Sequence, residues 1–374
     1  MGALVRAVGI DPGTVSFGLC GIEEDRVFLD VSIPSAEIAA DPRVLVNLVQ
    51  SVAPVDMIVG PSGYGLPWVS AQDLDARQMD LMLLSDNRDR GRTTIVGGMR
   101  RMLRLLKESD LPIIFAPAII HLPTVPQYRK VNRIDMGTAD KLCAVALGIY
   151  DQSHHLDIAY EETSFVYVEL GGAFTAIVTV DGGQVVDGLG GTAGSLGYLS
   201  LGGMDGELAY LLGGFHKELL CSGGVTSIAG RSDARPEELA AAAPTDDRSR
   251  WAWEAFMESL VKGVAAEAAV VPAPREILLS GRLSRVPALR RELLTRLSMF
   301  APVRQVDGFA REAKEAAQGA ALIAEGLVGG VYSGLVDAMR LREAGGTVLD
   351  HLYVGDSDEV RRRYLGRSVT EGAA

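Results

Sequence analysis

The sequence is poor in the residues that build disulfide-bonded and metal-bound frameworks. Its three cysteines, Cys20, Cys143 and Cys221, are scattered along 374 residues without a CxxC pair, which argues against a disulfide framework and indicates reduced thiols. The five histidines show no metal-ligand spacing, and the adjacent His154 and His155 would point apart on a regular element. We therefore expect neither a disulfide-rich fold nor a histidine-bound metal.

Long apolar runs and excess positive charge are also missing. No apolar run reaches the roughly 18 to 20 residues that span a bilayer, and Arg6 and Asp11 interrupt the N-terminal apolar stretch, unlike a signal peptide. Acidic residues outnumber basic ones by 48 to 36, and the resulting net charge of −12 disfavours nucleic acid and anionic membranes as partners. We expect a soluble, cytoplasmic protein with neither kind of partner.

Glycine, by contrast, is abundant. Its 43 residues predict many tight turns or loops that a ligand approaches closely. The length suggests about two domains, and a hydrophobic content of 48% is enough for sizeable cores.

Strand-forming runs occur in two sets of three, and tight turns join the runs within each set. The first set is Val5–Ile10, Phe17–Glu23 and Arg26–Ile33, and the second is Ser164–Glu169, Thr175–Val180 and Gln184–Leu189. Helical and strand patterns follow each set. We therefore predict a duplicated β-β-β-α-β-α unit and a mixed α/β fold.

The first strand leads into the sequence VGIDPGTVSFG, residues 8–18, which places a carboxylate beside a glycine and two hydroxyls. Backbone amides with the hydroxyls of Thr14 and Ser16 suit phosphate oxygens, and the carboxylate of Asp11 suits Mg²⁺ or its water shell. The same letters open certain nucleases, in which Asp11 would hold a metal for phosphodiester cleavage. The turn alone leaves both interpretations open.

A related turn opens the second unit, where Gly171 and Gly172 follow Glu169. Two such turns would clamp a triphosphate and its metal, because phosphoryl transfer depends mostly on positioning and charge neutralisation. Further along, a predicted strand ends at Ser280-Gly281, where a glycine would let a flat adenine approach the backbone. This recurrence and the acidic charge favour nucleotide phosphate over a nuclease metal site.

Five segments, taken in order, resemble the acetate and sugar kinase, heat-shock chaperone and actin superfamily. They are phosphate-1 (8–23), connect-1 (133–150), phosphate-2 (165–180), adenosine (276–289) and connect-2 (313–326). Within that superfamily, the segments IDMGTADKL and DGELAYLLGG resemble the archaeal family labelled predicted butyrate kinase. The resemblance implies two duplicated ribonuclease H-like (actin-like ATPase) domains with a nucleotide cleft between them, and ATP with Mg²⁺ as cofactors.

Carried over by position, the resemblance implies a role for each motif residue. Asp11 would engage the metal, with Glu169 on the second side. The residues implied to contact ATP are Gly13, Thr14, Ser16, Glu169, Gly171, Gly172, Ser280, Gly281 and Arg282. The chain departs from the usual pattern by Glu169 in place of Asp, Ala173 in place of Thr or Ser, and Ser280 in place of Gly. Acetate kinases carry Asn at the position of Asp11.

Other candidates come from the residues themselves. Asp135 or Asp140 would act as a base or bind the metal's water shell, although Thr138 and Asp140 also suit a helix N-terminus. Arg133 would place a guanidinium on the phosphoryl oxygens, and an ordinary surface arginine is the alternative. Two glycine-bearing loops supply the candidate substrate residues, which are Ser62, Gly63, Tyr64, Gly191, Thr192 and Asp205.

These observations predict domain I over residues 1–150, with a helix near 311–345 returning to it. Domain II would cover 151–310, including the adenosine segment, and 346–374 would form a C-terminal appendage or tail. The expected activity is transfer of the ATP γ-phosphate to a small carboxylate or hydroxyl substrate. An ATPase switch or activator without a small-molecule acceptor is the alternative, and a Holliday-junction-type nuclease is a remote one. Related acyl kinases are typically homodimers, whereas the residues leave the oligomeric state open.

Overall fold

The computed structural model describes residues 4–13, 15–61, 63–64, 66–85, 95–271 and 273–365. Contacts among Cα atoms divide the chain into two compact units. Unit 1 comprises Met1–Ala144 and Ala310–Ala374, and unit 2 comprises Val145–Phe309. The chain passes from unit 1 to unit 2 within a single helix, Ala139–Leu156.

Unit 1 contains a six-stranded mixed sheet. Its strands are β1 (Arg6–Pro12), β2 (Ser16–Glu23), β3 (Arg26–Pro34), β4 (Met57–Pro61), β5 (Val69–Ser70) and β6 (Ile113–Ala116). They lie in the order β3-β2-β1-β4-β6-β5. The first three strands form an antiparallel meander, and β4 and β6 then add in parallel.

The helices of this part of the chain follow the strands. They are α1 (Ser35–Ala40), α2 (Arg43–Ser51), α3 (Ala76–Leu83), α4 (Ile95–Glu108), α5 (Gln127–Lys130) and α6 (Ala139–Leu156).

Unit 2 repeats the same strand order. Its strands are β7 (Ser164–Leu170), β8 (Thr175–Asp181), β9 (Gln184–Leu189), β10 (Glu276–Ser280) and β11 (Val303–Gln305). They lie in the order β11-β10-β7-β8-β9, with β7–β9 antiparallel and β10 and β11 parallel to β7. This order matches β6-β4-β1-β2-β3 of unit 1, which confirms the predicted duplication and the α/β class.

The remaining helices include a long one that covers the second sheet. They are α7 (Gly206–Leu212), α8 (Val225–Ala229), α9 (Pro236–Ala242), α10 (Asp247–Ala268), α11 (Pro287–Leu297), α12 (Glu315–Leu327), α13 (Ser333–Ala338) and α14 (Ser357–Leu365). Phe256 and Leu260 of α10 pack with Val168 and Ile277 in the core of unit 2. The last three helices belong to unit 1.

Helix α12 lies directly on strand β1, because neither surface carries bulky side chains. A Cβ placed on Gly9 would lie 2.8 Å from the carbonyl carbon of Ala320, with backbone atoms of Ala317 and Ala321 nearer still. The small residues of α12 suggest close helix–helix packing, but at Ala317 and Ala320 the neighbouring backbone belongs to a strand. This contact fixes where the first turn of α12 lies in unit 1.

None of the described helices combines the length and apolar character of a membrane span. All three cysteines are free thiols, and Cys20 and Cys143 are buried.

Candidate functional site

The turn between β1 and β2 holds the buried carboxylate of unit 1. Asp11 is 6% exposed and pairs with Gly18 across the hairpin. The Gly13 amide donates to the Asp11 carbonyl at 3.1 Å, and the hydroxyl of Ser35 donates to the Gly13 carbonyl at 2.7 Å. These bonds fix the backbone around Asp11. Thr14, which was predicted to contact phosphate here, lies outside the described residues.

A lysine that the motif analysis did not single out reaches into this turn. Lys314, at the start of α12, donates from Nζ to the backbone carbonyl of Ser16 and lies 3.3 Å from Oδ2 of Asp11. A Cβ on Gly13 would fall against this ammonium group and 2.8 Å from the Ser16 carbonyl. The absence of a side chain at Gly13 therefore leaves room for Lys314 in the turn.

The N-terminus of α6 brings a second carboxylate and a second ammonium group to the same place. Oδ2 of Asp140 lies 2.8 Å from Nζ of Lys141, and the hydroxyl of Thr138 donates to Oδ1 of Asp140. Both Asp140 and Lys141 interact electrostatically with Asp11. We call Asp11, Asp140, Lys141 and Lys314 the Asp11 cluster.

The pKa values of the two carboxylates in the cluster shift in opposite directions. Burial raises the pKa of Asp11 against the opposing charge of Lys314, and the negative charge of Asp140 adds to the rise. Burial also acts to raise the pKa of Asp140, but the charge and hydrogen bond of Lys141, with the Thr138 hydroxyl, hold it below its ordinary value. Such a separation is common where neighbouring carboxylates have different functions.

Asp135 and Arg133 differ in their surroundings. Asp135 is buried at 6% exposure, and its Oδ1 accepts from the Gly137 amide at 3.2 Å in the turn before α6. Arg133 is exposed, and no side-chain hydrogen bond or ion pair involves it within the described residues. Asp135 therefore shapes the approach to α6, while the predicted phosphate contact of Arg133 stays a prediction.

The loop after β4 is joined to the same helix terminus. Ala139 is the first residue of α6, and its amide donates to the Gly63 carbonyl at 3.1 Å. The Tyr64 amide donates to the Met82 carbonyl at 3.0 Å. The candidate substrate residues Gly63 and Tyr64 are thus held beside the N-terminus of α6. Ser62, the third candidate of this loop, lies outside the described residues.

In unit 2, the corresponding turn lies where β7 and β10 end side by side. Glu169 of β7 pairs with Ser280 of β10, so their side chains share one face of the sheet. Ser280 is fully buried, and its Oγ has no hydrogen-bond partner within the described part of the chain. The Gly171 amide donates to the Phe174 carbonyl at 3.0 Å and closes the turn that contains Gly172.

Gly281 has a packing role that the adenosine prediction did not include. It adopts φ of 80°, and a Cβ there would lie 2.5 Å from the Leu170 carbonyl oxygen. Its glycine identity is explained by this contact with the end of β7, without an adenine. Arg282 follows at the exposed start of a short 3₁₀ turn.

The glycine-rich segment after β9 covers the same turn in unit 2. A Cβ on Gly191 would lie 2.7 Å from Cβ of Phe174, and the Ser200 hydroxyl donates to the Gly191 carbonyl at 3.3 Å. Thr192 is half-buried beside it. Asp205 is exposed and caps α7, because its Oδ1 accepts hydrogen bonds from the amides of Glu207 and Leu208. Gly191 is therefore brought to the turn, whereas Asp205 has a structural function as a helix cap.

The Asp11 cluster suits a magnesium phosphate better than a bare metal ion. Among the described residues, no three His, Cys, Asp or Glu side chains lie close enough to hold a metal by themselves. Mg²⁺ commonly keeps several waters and binds through one or two carboxylates together with substrate phosphates. Asp11 and Asp140 supply such a pair, and Lys314 and Lys141 supply positive charge for the phosphates.

The two mixed sheets define the class of the protein, because they match the two-domain fold of the acetate kinases. An acetate kinase from Porphyromonas gingivalis is 13% identical with a TM-score of 0.57, covering 84% of this chain and 98% of its own. A propionate kinase from Francisella tularensis is 13% identical with a TM-score of 0.58, covering 84% and 99%. An acetate kinase from Entamoeba histolytica is 11% identical with a TM-score of 0.56, covering 79% and 86%.

At these identities, the likeness shows the fold alone. The chain belongs to the family described as Protein of unknown function (DUF1464), whose model matches residues 9–354. No curated protein sequence matches it.

Proposed function

We propose that the protein is an ATP-dependent phosphotransferase that acts on a small carboxylate or hydroxyl substrate. The observation that carries the proposal is the Asp11 cluster, in which the Lys314–Asp11 pair at the first hairpin turn interacts electrostatically with the Asp140–Lys141 pair at the N-terminus of α6. Nucleotide and acceptor would be its partners, and the acyl kinase fold makes a homodimer the expected assembly.

The charges of the cluster support this reaction. In phosphoryl transfer, the acceptor oxygen bonds to the γ-phosphorus while the bond to the β–γ bridging oxygen breaks, and ADP leaves. Negative charge on the phosphoryl oxygens must be neutralised throughout, so catalysis is mainly positioning and electrostatic stabilisation. The ammonium groups of Lys314 and Lys141 supply fixed positive charge at the turn.

Asp11 and Asp140 would hold the metal that accompanies ATP. Magnesium, when bound, neutralises phosphate charge and orients the nucleotide. Asp11 is already enclosed at 6% exposure, so water does not compete freely for its carboxylate. With a hydroxyl acceptor, the ionised Asp140 would also be the candidate base that receives the hydroxyl proton. A carboxylate acceptor needs no base.

A turnover assay with a panel of acceptors tests the proposal. The full chain with ATP and Mg²⁺ is supplied in turn with acetate, propionate, butyrate and a hexose, and ADP release is measured with and without each acceptor. We expect one acceptor class to stimulate ADP release at least tenfold and to yield a phosphorylated product. The archaeal butyrate kinase resemblance makes butyrate the first compound to try.

Variants of the cluster link the activity to this site. Asp11→Asn and Asp140→Asn should lower kcat/KM by about 10²–10³, the range seen when one electrostatic contact to a transition state is lost. Asp337→Asn is the matched control, because Asp337 is 69% exposed and its nearest partner, Arg342, lies 3.7 Å away. If the protein hydrolyses ATP and no acceptor stimulates the reaction, the result would contradict the kinase proposal and support an ATPase switch. Equal activity of all three variants would remove the site from the reaction.

A further inference from the structure

The ammonium group of Lys314 lies inside the first turn although its residue is 303 positions from Asp11 in the sequence. Its Nζ contacts Oδ2 of Asp11 at 3.3 Å and the Ser16 carbonyl. An ammonium group has three N–H donors, and the contacts of Lys314 within the described residues use two of them. The side chain is one-third exposed, so part of it is accessible to a ligand.

An ion pair with Asp11 alone does not explain the position. If neutralising Asp11 were the only function, a lysine reaching it from solvent would suffice. Instead, the absence of a side chain at Gly13 leaves room for the ammonium group, and the Ser16 carbonyl accepts a hydrogen bond from it. The turn thus holds a cation between the Ser16 carbonyl and the Asp11 carboxylate.

The backbone leading to Lys314 is also fixed. Both carboxylate oxygens of Asp30, in β3, accept from the amides of Arg311, Glu312 and Ala313 at 2.7–3.0 Å. On the other side, the Lys314 amide lies against Gly18, where a Cβ would be 3.2 Å away. The Lys314 Cα therefore has little freedom, and its side chain starts from a defined point above the turn.

We infer that Lys314 binds the terminal phosphates of the nucleotide, as a resident cation in the first turn. The inference rests on the proposed function and adds to it a phosphate-binding residue in the connect-2 segment (313–326). A charge-assisted hydrogen bond of this kind contributes about 10- to 100-fold in affinity. The contact would distinguish ATP and ADP from AMP.

Nucleotide affinities of the full chain test this directly. Dissociation constants for ATP, ADP and AMP are measured with Mg²⁺ for the wild type and for Lys314→Met. We expect ATP and ADP to bind at least tenfold more weakly to the variant, and AMP to change by less than twofold. Lys262→Met is the matched control, because Lys262 is 74% exposed and, among the described residues, its ion pair is with Glu258 on α10; it should change none of the three.

A second comparison separates phosphate binding by Lys314 from neutralisation of the Asp11 carboxylate. Lys314→Met leaves a buried carboxylate unpaired, which could weaken binding through the fold of the turn. In an Asp11→Asn background no such charge remains, so the double variant is compared with Asp11→Asn alone. A further tenfold loss of ATP affinity is expected from direct phosphate contact, and no further loss would assign Lys314 to Asp11 only.

The remaining outcomes separate this inference from the proposed function. Equal losses for all three nucleotides, or none, would overturn the role of Lys314 while leaving nucleotide binding in place. A selective loss without acceptor-dependent turnover would keep the role of Lys314 and overturn the phosphotransferase. A wild type that binds none of the three nucleotides would overturn both.

Discussion

Replacement of Gly9 by alanine tests the contact that places α12 over the first sheet. The new Cβ would lie 2.8 Å from the Ala320 carbonyl carbon, and backbone atoms of Ala317 and Ala321 would be nearer. Ordinary contact for such a carbon begins at 3.4 Å, so α12 must move by at least about 0.6 Å. The obstructing atoms are helix backbone, and no side-chain rotation relieves the clash.

The loss of folding stability expected for Gly9→Ala follows from the packing. Overpacking a well-packed core typically costs about 1–3 kcal/mol, and a backbone clash lies at the upper end of that range. In a unit of about 200 residues, 2–3 kcal/mol lowers the melting temperature by roughly 4–12 °C. If α12 moves instead of unfolding, it carries Lys314 away from Asp11, and ATP affinity should fall together with stability.

Thermal unfolding and ATP titration of Gly9→Ala measure both effects. Gly206→Ala is the control, because nothing lies within 4 Å of a Cβ at that position and its φ is not positive. The control should unfold within about 1 °C of the wild type, since an open glycine tolerates alanine. A Gly9→Ala protein that also unfolds with the wild type and binds ATP normally would refute the packing argument.

Two further predictions concern charge. Burial alone would raise the pKa of Asp30, but the hydrogen bond from the Ala313 amide and those from its two neighbours lower it. Its contribution to stability is therefore present above the unfolded pKa and lost as pH falls through the folded pKa, so the stability gap between wild type and Asp30→Asn, followed by urea unfolding, should close below about pH 4. In unit 2, Arg304 holds Asp151 at 2.5 Å and Glu276 at 2.7 Å, and burial raises the pKa of the Asp151 carboxyl. Arg304→Met should cost about 3–5 kcal/mol, and less at pH 5 than at pH 8 by the same measurement, because protonation of Asp151 removes a buried charge that has lost its arginine.

The strands were largely predictable, because period-two patterns and glycine turns are local. The predicted meander Phe17–Glu23 and Arg26–Ile33 is found as Ser16–Glu23 and Arg26–Pro34, and Gln184–Leu189 is found unchanged. Hairpin pairing needs only neighbouring residues and a turn, so composition suffices to predict it. The repeat of this meander also gave the duplicated fold.

Helix starts were less predictable, because distant residues decide them. The pattern indicates a helix from 311, yet α12 begins at Glu315, and the segment before it is held by Asp30, which accepts from the amides of Arg311, Glu312 and Ala313. The stretch 234–247 is rich in alanine and acidic residues, a composition that also suits a surface loop, yet α9 runs through it and buries Leu239 fully. A single leucine in such a segment is too weak a periodic signal to predict the helix.

The candidate site was predicted in part, and the residue that the motifs did not single out is Lys314. Motif reasoning found Asp11, Gly13 and Asp140, but it treated Gly13 as a place for phosphate to approach the backbone. In the structure, Gly13 admits Lys314, just as Gly9 and Gly18 admit the helix that carries it. Gly9, Gly13 and Gly18 therefore serve one packing requirement, the close approach of α12 and Lys314, and its result is an ammonium group beside a buried carboxylate.

That requirement changes how the connect-2 segment is understood. Ala317 and Ala320 of this segment lie against β1 and allow Lys314, at the start of α12, to reach Asp11. A bulkier residue on either surface would lift Lys314 from the turn before it disturbed any motif residue. The segment thus affects phosphate chemistry through backbone proximity, and a search for chemically reactive side chains alone could not find it.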